Sequence, residues 1–458
     1  MIPLQFPRAA SSSGLLARHD IQKPLLSVFA GLDTDAPGKV DRRMNRREFL
    51  LNGAAAAAGV AALGSGAQEA APGPAAPAPT APNAAPPPLP PPIARSSYVT
   101  RMEQARALMR ETKATALIET PGTHLRYLTG LDLHRSERLI AFVLPVEGDP
   151  VLLGPLLERD RLTTSPAGIE EVRTWEENER SFEALEKILR KAGVSDKKVA
   201  IGSTTWYDDF VRLQEQTPKM TFVSTTPIVG SLRERKSPEE VACMQAAIDI
   251  TERAIDAALA ETREGIREDE LSDLIVSNIE KMGASGGGLV QFGPRSAVPH
   301  NPTSDRRLAP GDIVLIDFGA QVQGYWSDIS RPAVLGQATG RMKLVHDSIR
   351  QAQKLALERA KPDTPCESLD IIARATLGGH GFSKFILHRL GHGIGLDGHE
   401  PPWLTLGNAD RLAVGHVATL EPGVYTPNDY GIRIEDMMEV TPQGGRMLSR
   451  PPERLREI

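Results

Sequence analysis

The chain has 458 residues, a formal net charge of −5 and a pI near 6.1. This length exceeds one ordinary domain and is sufficient for two. The slightly acidic balance, with no basic run in the part expected to fold, excludes a nucleic-acid binder of the usual basic kind. The two cysteines, Cys243 and Cys366, are too few for a disulfide framework and are interpreted as buried free thiols.

A twin-arginine export signal is predicted near the N-terminus. Arg46 and Arg47 precede Phe-Leu-Leu and an alanine-rich run at 54–63. An arginine pair followed by a weakly apolar stretch, too short to span a membrane, is typical of such signals. We therefore predict a signal over residues 44–68, a non-native or unstructured extension at 1–43, and a periplasmic or secreted protein without a stable transmembrane span. The alternative is a plain basic patch.

A linker and a first folded domain follow the signal. Residues 69–93 are almost entirely proline and alanine, a composition that stays extended and cannot form a core. The domain predicted over residues 94–230 alternates helical and strand-like runs, at 98–113, 116–119, 139–144, 150–153, 181–192 and 198–202. This alternation favours a layered α/β structure. The domain holds no concentrated set of ligands, so we assign no catalytic role to it.

The second domain is predicted over residues 231–458 and opens with a helix start signal. Ser237 is the N-cap, Pro238 takes the first helical position and Glu240 completes a capping box. Helices are expected at 238–260, 268–282, 342–360 and 367–377. One helix pair precedes each of two hairpin-like segments, which indicates an internal duplication.

The first hairpin-like segment carries two aspartates. Strand-like runs on either side of a polar turn contain Asp317 and Asp328. If the chain folds back about Val322 and Gln323, the two aspartates oppose each other with Cβ atoms roughly 5 Å apart. Both carboxylates would then point to one side of the hairpin.

The second hairpin-like segment carries two glutamates. A turn centred on Asn428 would place Glu421 opposite Glu435. Arg433 lies two residues before Glu435, so strand alternation puts both on one face. Upstream, His392 has glycine on both sides, which lets the backbone approach a crowded site closely.

Together these residues have the chemistry of a metal centre. A lone aspartate in a turn, or a lone histidine among glycines, is more often structural, so the joint pattern carries the prediction. Four carboxylates and one imidazole suit two hard divalent cations roughly 3.5–4 Å apart, with a bridging water that becomes a nucleophile at neutral pH. The carboxylate-rich set favours Mn²⁺, with Co²⁺ or Zn²⁺ as alternatives. The predicted ligands are Asp317, Asp328, His392, Glu421 and Glu435.

The segments around these ligands resemble the signatures of the pita-bread metallopeptidases, family M24. Within that family they look most like prolidase and aminopeptidase P, which cut Xaa–Pro bonds. The resemblance covers roughly residues 95–458 and rests on Gly391–Leu396, Asp397–Pro402, Leu420–Tyr425 and Gly431–Asp436. It implies an α/β protein: an α+β pita-bread (creatinase/aminopeptidase) catalytic domain preceded by a smaller α/β creatinase/prolidase N-terminal-like domain.

The resemblance also implies roles for particular residues. Glu421 is expected to take and return the catalytic proton, His399 to steady the tetrahedral intermediate, and His300 to bind the substrate. Arg433 and Tyr425 are expected to line the substrate site. The implied reaction is attack of a metal-bridged hydroxide on the Xaa–Pro bond of a proline-containing peptide, by a homo-oligomer, in the simplest case a dimer.

Other readings of the same pattern stay open. A creatinase-like amidinohydrolase shares the fold but works without metal and lacks the full ligand set. A methionine aminopeptidase shares the ligands but lacks the preceding domain and the His-Glu-Pro-Pro run. A non-catalytic interaction module of this fold is expected to have lost ligands. The sequence is compatible with both a dipeptidase and an aminopeptidase for longer peptides.

Overall fold

The computed structural model describes residues 87–194 and 196–458. The predicted extension, the export signal and most of the linker therefore lie outside the described residues. The described end of the linker lies against the catalytic domain: the Gln323 amide donates to the carbonyls of Pro90 and Pro91 and accepts from the Ile93 backbone. In the described part of the chain, no helix is both long and apolar enough to cross a membrane.

The first domain is a mixed sheet covered by helices. Its strands β1–β6 span Ala116–Glu119, Ala141–Pro145, Val151–Pro155, Glu171–Trp175, Lys198–Ile201 and Thr221–Ser224. Its helices α1–α5 span Arg95–Thr112, Thr123–Thr129, Arg159–Leu162, Ser181–Lys191 and Tyr207–Gln216. The strand order is β4-β3-β2-β1-β5-β6, with β1 parallel to β5 and antiparallel to β2. Separate hydrophobic clusters on its two faces confirm the predicted α/β layers.

A short helix, α6 at Ser231–Glu234, leads into the catalytic domain. The long helix α7, Pro238–Glu261, begins at the predicted capping box: Ser237 Oγ accepts from the Glu240 backbone N–H, and the Glu240 carboxylate accepts from that of Ser237. Two backbone N–H groups that lack partners at the start of the helix are thereby hydrogen-bonded.

The catalytic domain repeats one arrangement, a helix pair followed by a sheet. In the first half, α7 and α8 (Glu268–Lys281) precede a sheet of β7–β10, at Ser285–Phe292, Ile313–Val322, Tyr325–Trp326 and Ile329–Val334. In the second half, α9 (Gly340–Arg359) and α10 (Glu367–Gly379) precede β11–β17, at Gly391–Gly393, Glu400–Leu404, Val417–Leu420, Gly423–Tyr425, Gly431–Arg433, Asp436–Thr441 and Gly444–Met447. The last strand, β18 at Arg456–Glu457, returns to pair with β10. This order of elements is the duplication expected from the sequence.

The aspartate hairpin has a different register from the predicted one. Its turn consists of Gln323 and Gly324, with φ of 52° and 92°, the positive values that a tight two-residue hairpin requires. Asp317 consequently faces Ser330, and the prediction that Asp317 directly opposes Asp328 is wrong. The offset is two residues, and side chains alternate with a period of two. Both aspartates therefore still lie on one face.

The glutamate hairpin has the predicted register. Strand pairs on both sides of the glutamates, such as Leu420 with Asp436, keep the pairing that places Glu421 opposite Glu435. The predicted turn centre, Asn428, has a φ of 60°. Glu435 also donates its backbone N–H to the Ser330 carbonyl at 3.2 Å, which joins the second half of the domain to the first.

Candidate metal centre

The five predicted ligands meet where the two halves of the catalytic domain join. Their donor atoms form three overlapping sets, in each of which the atoms lie within 4.8 Å of one another. The sets are Asp317, Asp328 and Glu435; His392, Glu421 and Glu435; and Asp328, His392 and His399. Because the sets share members, they make one continuous candidate site rather than separate ones.

His392 presents one particular nitrogen to this site. Its Nδ1 donates to the Gly393 carbonyl at 3.0 Å, which leaves the lone pair of Nε2 directed toward the carboxylates. Nε2 lies 3.4 Å from Glu421 Oε1 and 3.8 Å from Asp328 Oδ2. Burial, and then the neighbouring His399, lower the pKa of His392 to about 3. The imidazole is therefore neutral at physiological pH, as a metal ligand must be.

Glycine lets the strand that carries His392 approach its neighbour. A Cβ on Gly391 would lie 2.1 Å from the Thr419 carbonyl oxygen, closer than any side chain permits. The Thr419 hydroxyl in turn accepts from the His392 backbone N–H at 3.1 Å.

The clustered carboxylates are difficult to ionise together. Burial, together with neighbouring carboxylates, raises the pKa values of Asp328 and Glu435 well above the ordinary range, and burial raises the pKa of Glu421 to about 7. Several acids held this close repel one another when ionised, and a divalent cation removes that penalty. The donor set, oxygen-rich with one imidazole nitrogen, therefore fits hard divalent ions.

Arg433 connects the two hairpins through hydrogen bonds. Its buried guanidinium donates to Asp317 Oδ2 at 2.5 Å, to Ser330 Oγ at 2.9 Å and to the Tyr425 hydroxyl at 2.8 Å. Ser330 Oγ donates onward to Glu435 Oε2 at 2.8 Å. One side chain thus orients a ligand from each half of the domain, the usual task of groups that surround a metal site.

Sequence reasoning missed His388, which the structure places in this site. Its Nδ1 donates to the Arg389 carbonyl at 2.8 Å, so its Nε2 accepts from the Tyr425 hydroxyl, also at 2.8 Å. Nδ1 lies 3.7 Å from Glu421 Oε2, and burial lowers the pKa of His388 to about 4. The available signal was only its position four residues before His392, which is a weak one because His388 lies at a bend before the strand begins.

The two remaining predicted histidines lie at the open side of the centre. His399 is exposed, and its ring centroid lies 3.9 Å from that of His392. His300 is exposed in a loop and belongs to none of the three donor sets. Burial lowers the pKa values of both His388 and His399, and the proximity of His300 adds to both shifts. The structure therefore brings His399 to the ligands and leaves His300 at the margin.

Comparison with known proteins agrees with this fold and site. The model of metallopeptidase family M24 matches residues 242–442, and that of the creatinase/prolidase N-terminal domain matches residues 101–235. The Xaa-Pro dipeptidase of Pyrococcus furiosus is 33% identical over 279 residues, which are 60% of this chain and 79% of that protein. The dipeptidase PepE of Mycobacterium ulcerans superposes with a TM-score of 0.75 at 30% identity, over 80% of this chain and 99% of the other. The X-Pro aminopeptidase of Thermotoga maritima gives 0.69 at 27% identity, over 77% and 100%.

The fold and the ligand set define a metal-dependent peptidase with a pita-bread catalytic domain. The chain belongs to metallopeptidase family M24 and carries the creatinase/prolidase N-terminal domain in front of it. Enzymes of this family use divalent metal ions, and the clustered carboxylates and imidazole supply the donors for them.

Proposed function

We propose that the protein hydrolyses Xaa–Pro peptide bonds with two divalent metal ions. The observation that carries the proposal is the complete set of five ligands, in one site, with His399 beside them. Its similarity to an Xaa-Pro dipeptidase, a dipeptidase and an X-Pro aminopeptidase supports the substrate class. The complete set also argues against a metal-free amidinohydrolase and against a non-catalytic module.

The metal ions would be held by Asp317, Asp328, His392, Glu421 and Glu435. When bound, such ions lower the pKa of water and polarise a carbonyl group. We propose Mn²⁺, because oxygen donors dominate, with Co²⁺ and Zn²⁺ as alternatives.

The surrounding residues are proposed to transfer the proton, stabilise the oxyanion and bind the substrate. Glu421, whose pKa is raised to about 7 by burial, takes the proton of the attacking water and returns it to the leaving proline nitrogen. His399 donates a hydrogen bond to the oxygen that becomes negative in the tetrahedral intermediate. His300 binds the substrate, and Arg433 with Tyr425 keeps the inner wall of the site in place.

A comparison of matched peptides tests the substrate class. The purified protein, supplied with Mn²⁺, is assayed on an Xaa–Pro dipeptide, an Xaa–Pro–Xaa tripeptide, their alanine counterparts and creatine. We expect cleavage of the proline peptides at least tenfold faster than the alanine peptides, and no turnover of creatine. The ratio of dipeptide to tripeptide rates assigns the enzyme as a dipeptidase or an aminopeptidase. Equal rates on proline and alanine would refute the Xaa–Pro assignment and leave the metallopeptidase.

We further propose that the enzyme is exported through the twin-arginine route. The support is the Arg46–Arg47 pair and the weakly apolar run behind it, which lie outside the described residues. Replacing both arginines by lysine keeps the charge and removes the guanidinium pair. We expect the precursor to stay in the cytoplasm in cell fractionation. A normal amount of the double variant in the periplasm would contradict this route.

The assembly is proposed to be a homodimer, as the resemblance to the family implies. Light scattering of the purified protein should give about twice the mass of the chain. A monomeric mass at micromolar concentration would contradict the proposal.

A further inference from the structure

His399 lies at the end of a loop whose position is set by other residues. The loop at 394–399 joins β11, which carries His392, to β12, which begins at Glu400. The imidazole of His399 is exposed apart from its contact with the His392 ring, at 3.9 Å between centroids, so side-chain packing does little to hold it. The position of its imidazole therefore depends on what holds the residues on either side.

Two acidic residues, Asp397 and Glu400, flank His399, and basic side chains from outside the loop bind their carboxylates. Glu400 is buried, and both of its carboxylate oxygens are paired: Oε1 accepts from Lys236 Nζ at 2.6 Å, and Oε2 accepts from the Arg233 guanidinium. The same guanidinium donates to Asp397 Oδ2 at 2.7 Å. Each end of the segment that contains His399 is thus tied to a cation.

The cations come from the segment that connects the two domains. Arg233 belongs to α6, and Lys236 lies between α6 and α7. The first domain joins the network through Thr123, at the start of α2, whose hydroxyl donates to Asp397 Oδ2 at 3.0 Å and accepts from Arg233 at 3.2 Å. The loop is therefore held by residues from both domains.

The backbone of the loop packs closely against the Lys236–Glu400 ion pair. A Cβ on Gly395 would lie 2.7 Å from Glu400 Oε1 and 3.0 Å from Lys236 Cε, so the loop backbone rests directly on the ion pair. The Gly395 carbonyl also accepts from the Trp326 backbone N–H at 2.8 Å, in the aspartate hairpin. A shift of the ion pair would consequently move the loop relative to the ligands.

We propose that Arg233 and Lys236, acting through Glu400 and Asp397, are positioning residues for His399. The hydrogen bonds of their side chains go to Glu400, Asp397 and Thr123, none of which is a predicted metal ligand. Their effect is to hold the imidazole at the distance from the reacting carbonyl at which it stabilises the transition state. The inference rests on the proposed function, because it needs His399 to act in peptide hydrolysis.

The test is a double-mutant cycle between Glu400→Gln and His399→Ala, with kcat and KM measured at saturating Mn²⁺. In the otherwise wild-type enzyme, Glu400→Gln should lower kcat at least tenfold and change KM by less than about threefold. In the His399→Ala background, the same substitution should change kcat by less than about twofold, because there is no imidazole left to misplace. Metal content and the thermal unfolding midpoint are recorded for every variant.

Glu240→Gln is the matched control. Glu240 forms a buried ion pair with Arg101 across the same two domains, at 3.3 Å, and its carboxylate also accepts from the Tyr325 hydroxyl and the Ser237 backbone N–H, neither of which belongs to the loop. Its substitution should lower thermal stability and have the same effect on kcat in both backgrounds. If Glu400→Gln does not fold, Lys236→Met replaces it in the cycle with the same expectation.

The outcomes separate this inference from the proposed function. Equal kcat losses from Glu400→Gln in both backgrounds, or a loss of bound metal, would overturn the positioning role while peptide hydrolysis by the wild type stands. A wild-type enzyme that cleaves no peptide would overturn the proposed function and this inference with it.

Discussion

At the scale of single residues, the site works because each reactive group has its state set by its neighbours. Arg433 is fully buried, and each part of its guanidinium has a partner from a different strand. Loss of Asp317 would be costly, because part of the buried charge of Arg433 would then lack compensation. Arg433 therefore depends on Asp317 for charge compensation and on Ser330 and Tyr425 for its other hydrogen bonds.

Glu421 is the residue whose change should affect catalysis most directly. Glu421→Gln keeps the size of the side chain and removes both the base and one anionic donor. We expect kcat to fall by at least roughly a hundredfold, the lower range for lost acid–base catalysis. Steady-state kinetics with parallel metal analysis measures it. Glu439→Gln is the control, because Glu439 lies on β16 and pairs with Arg446 at the surface. Unchanged kcat at full metal occupancy would remove Glu421 from the mechanism.

At the scale of elements, turns and helix starts decide where the ligands lie. The turn of the aspartate hairpin places Gly324 in a left-handed conformation, and a Cβ there would lie 2.3 Å from the Arg126 guanidinium carbon. Glycine at this position thus sets the register of β8 with β9 and β10. The register then determines which residue faces Asp317.

The start of α7 provides a prediction at this scale. Ser237→Ala removes the hydroxyl that accepts from the Glu240 backbone N–H, which leaves that donor unsatisfied. We expect the free energy of unfolding, measured in urea, to fall by about 1 kcal/mol. Ser237→Thr retains a hydroxyl and should lose only a few tenths of this. Equal losses for the two variants would show that the cap does not contribute.

At the scale of the whole molecule, the centre exists only because two halves of one domain meet. Asp317 and Asp328 come from the first half, and His392, Glu421 and Glu435 from the second. Both hydrophobic clusters of the catalytic domain contain residues from the two halves, so the halves share a packed core. Bound ions would add a further link between the two halves, and metal binding should therefore stabilise the folded chain.

Metal content tests this arrangement. The purified protein should bind about two divalent ions per chain, because five ligands in overlapping sets exceed what one ion needs. Dialysis against a chelator should abolish activity, and Mn²⁺ should restore it. Elemental analysis and activity are measured on the same samples. A metal-free protein with full activity would contradict the two-metal mechanism.

The stability of the molecule should fall in acid, in part through His416. This histidine is buried, and burial first, then the charges of Lys236 and Arg235, lower its pKa to about 4. An unfolded histidine titrates near 6.5, so the unfolded chain binds the proton first as the pH falls. The neutral buried histidine therefore costs no stability above about pH 6.5. As the pH falls from about 6.5 toward 4, the free energy of unfolding decreases by up to about 3 kcal/mol, because the unfolded chain is protonated first.

The corresponding variant is His416→Gln, compared with wild type by urea unfolding at pH 7, 5 and 4. The difference between their free energies of unfolding should shift in favour of the variant as the pH falls. The same pH dependence in both proteins would contradict the role of His416.

Local sequence was sufficient for much of this molecule. The capping box of α7 and the pairing of Glu421 with Glu435 follow from residues close together in the chain, because turn and cap preferences act over a few bonds. The five predicted ligands follow from residue types and spacing, because two acid pairs on hairpin-like segments and a glycine-flanked histidine rarely coincide, even though only the glutamate pair is directly opposed. The α/β class follows from the alternation of helices and strands.

Only the tertiary structure decided the rest. It moved the turn of the aspartate hairpin to Gln323 and Gly324, brought His388 onto the Tyr425 hydroxyl, and set Arg233 against Glu400, 167 residues further along the chain. Sequence periodicity shows which face of an element a residue occupies, whereas these contacts depend on which faces pack together. Burial and charge pairing between distant segments determine which faces pack together, and a local sequence pattern does not contain this information.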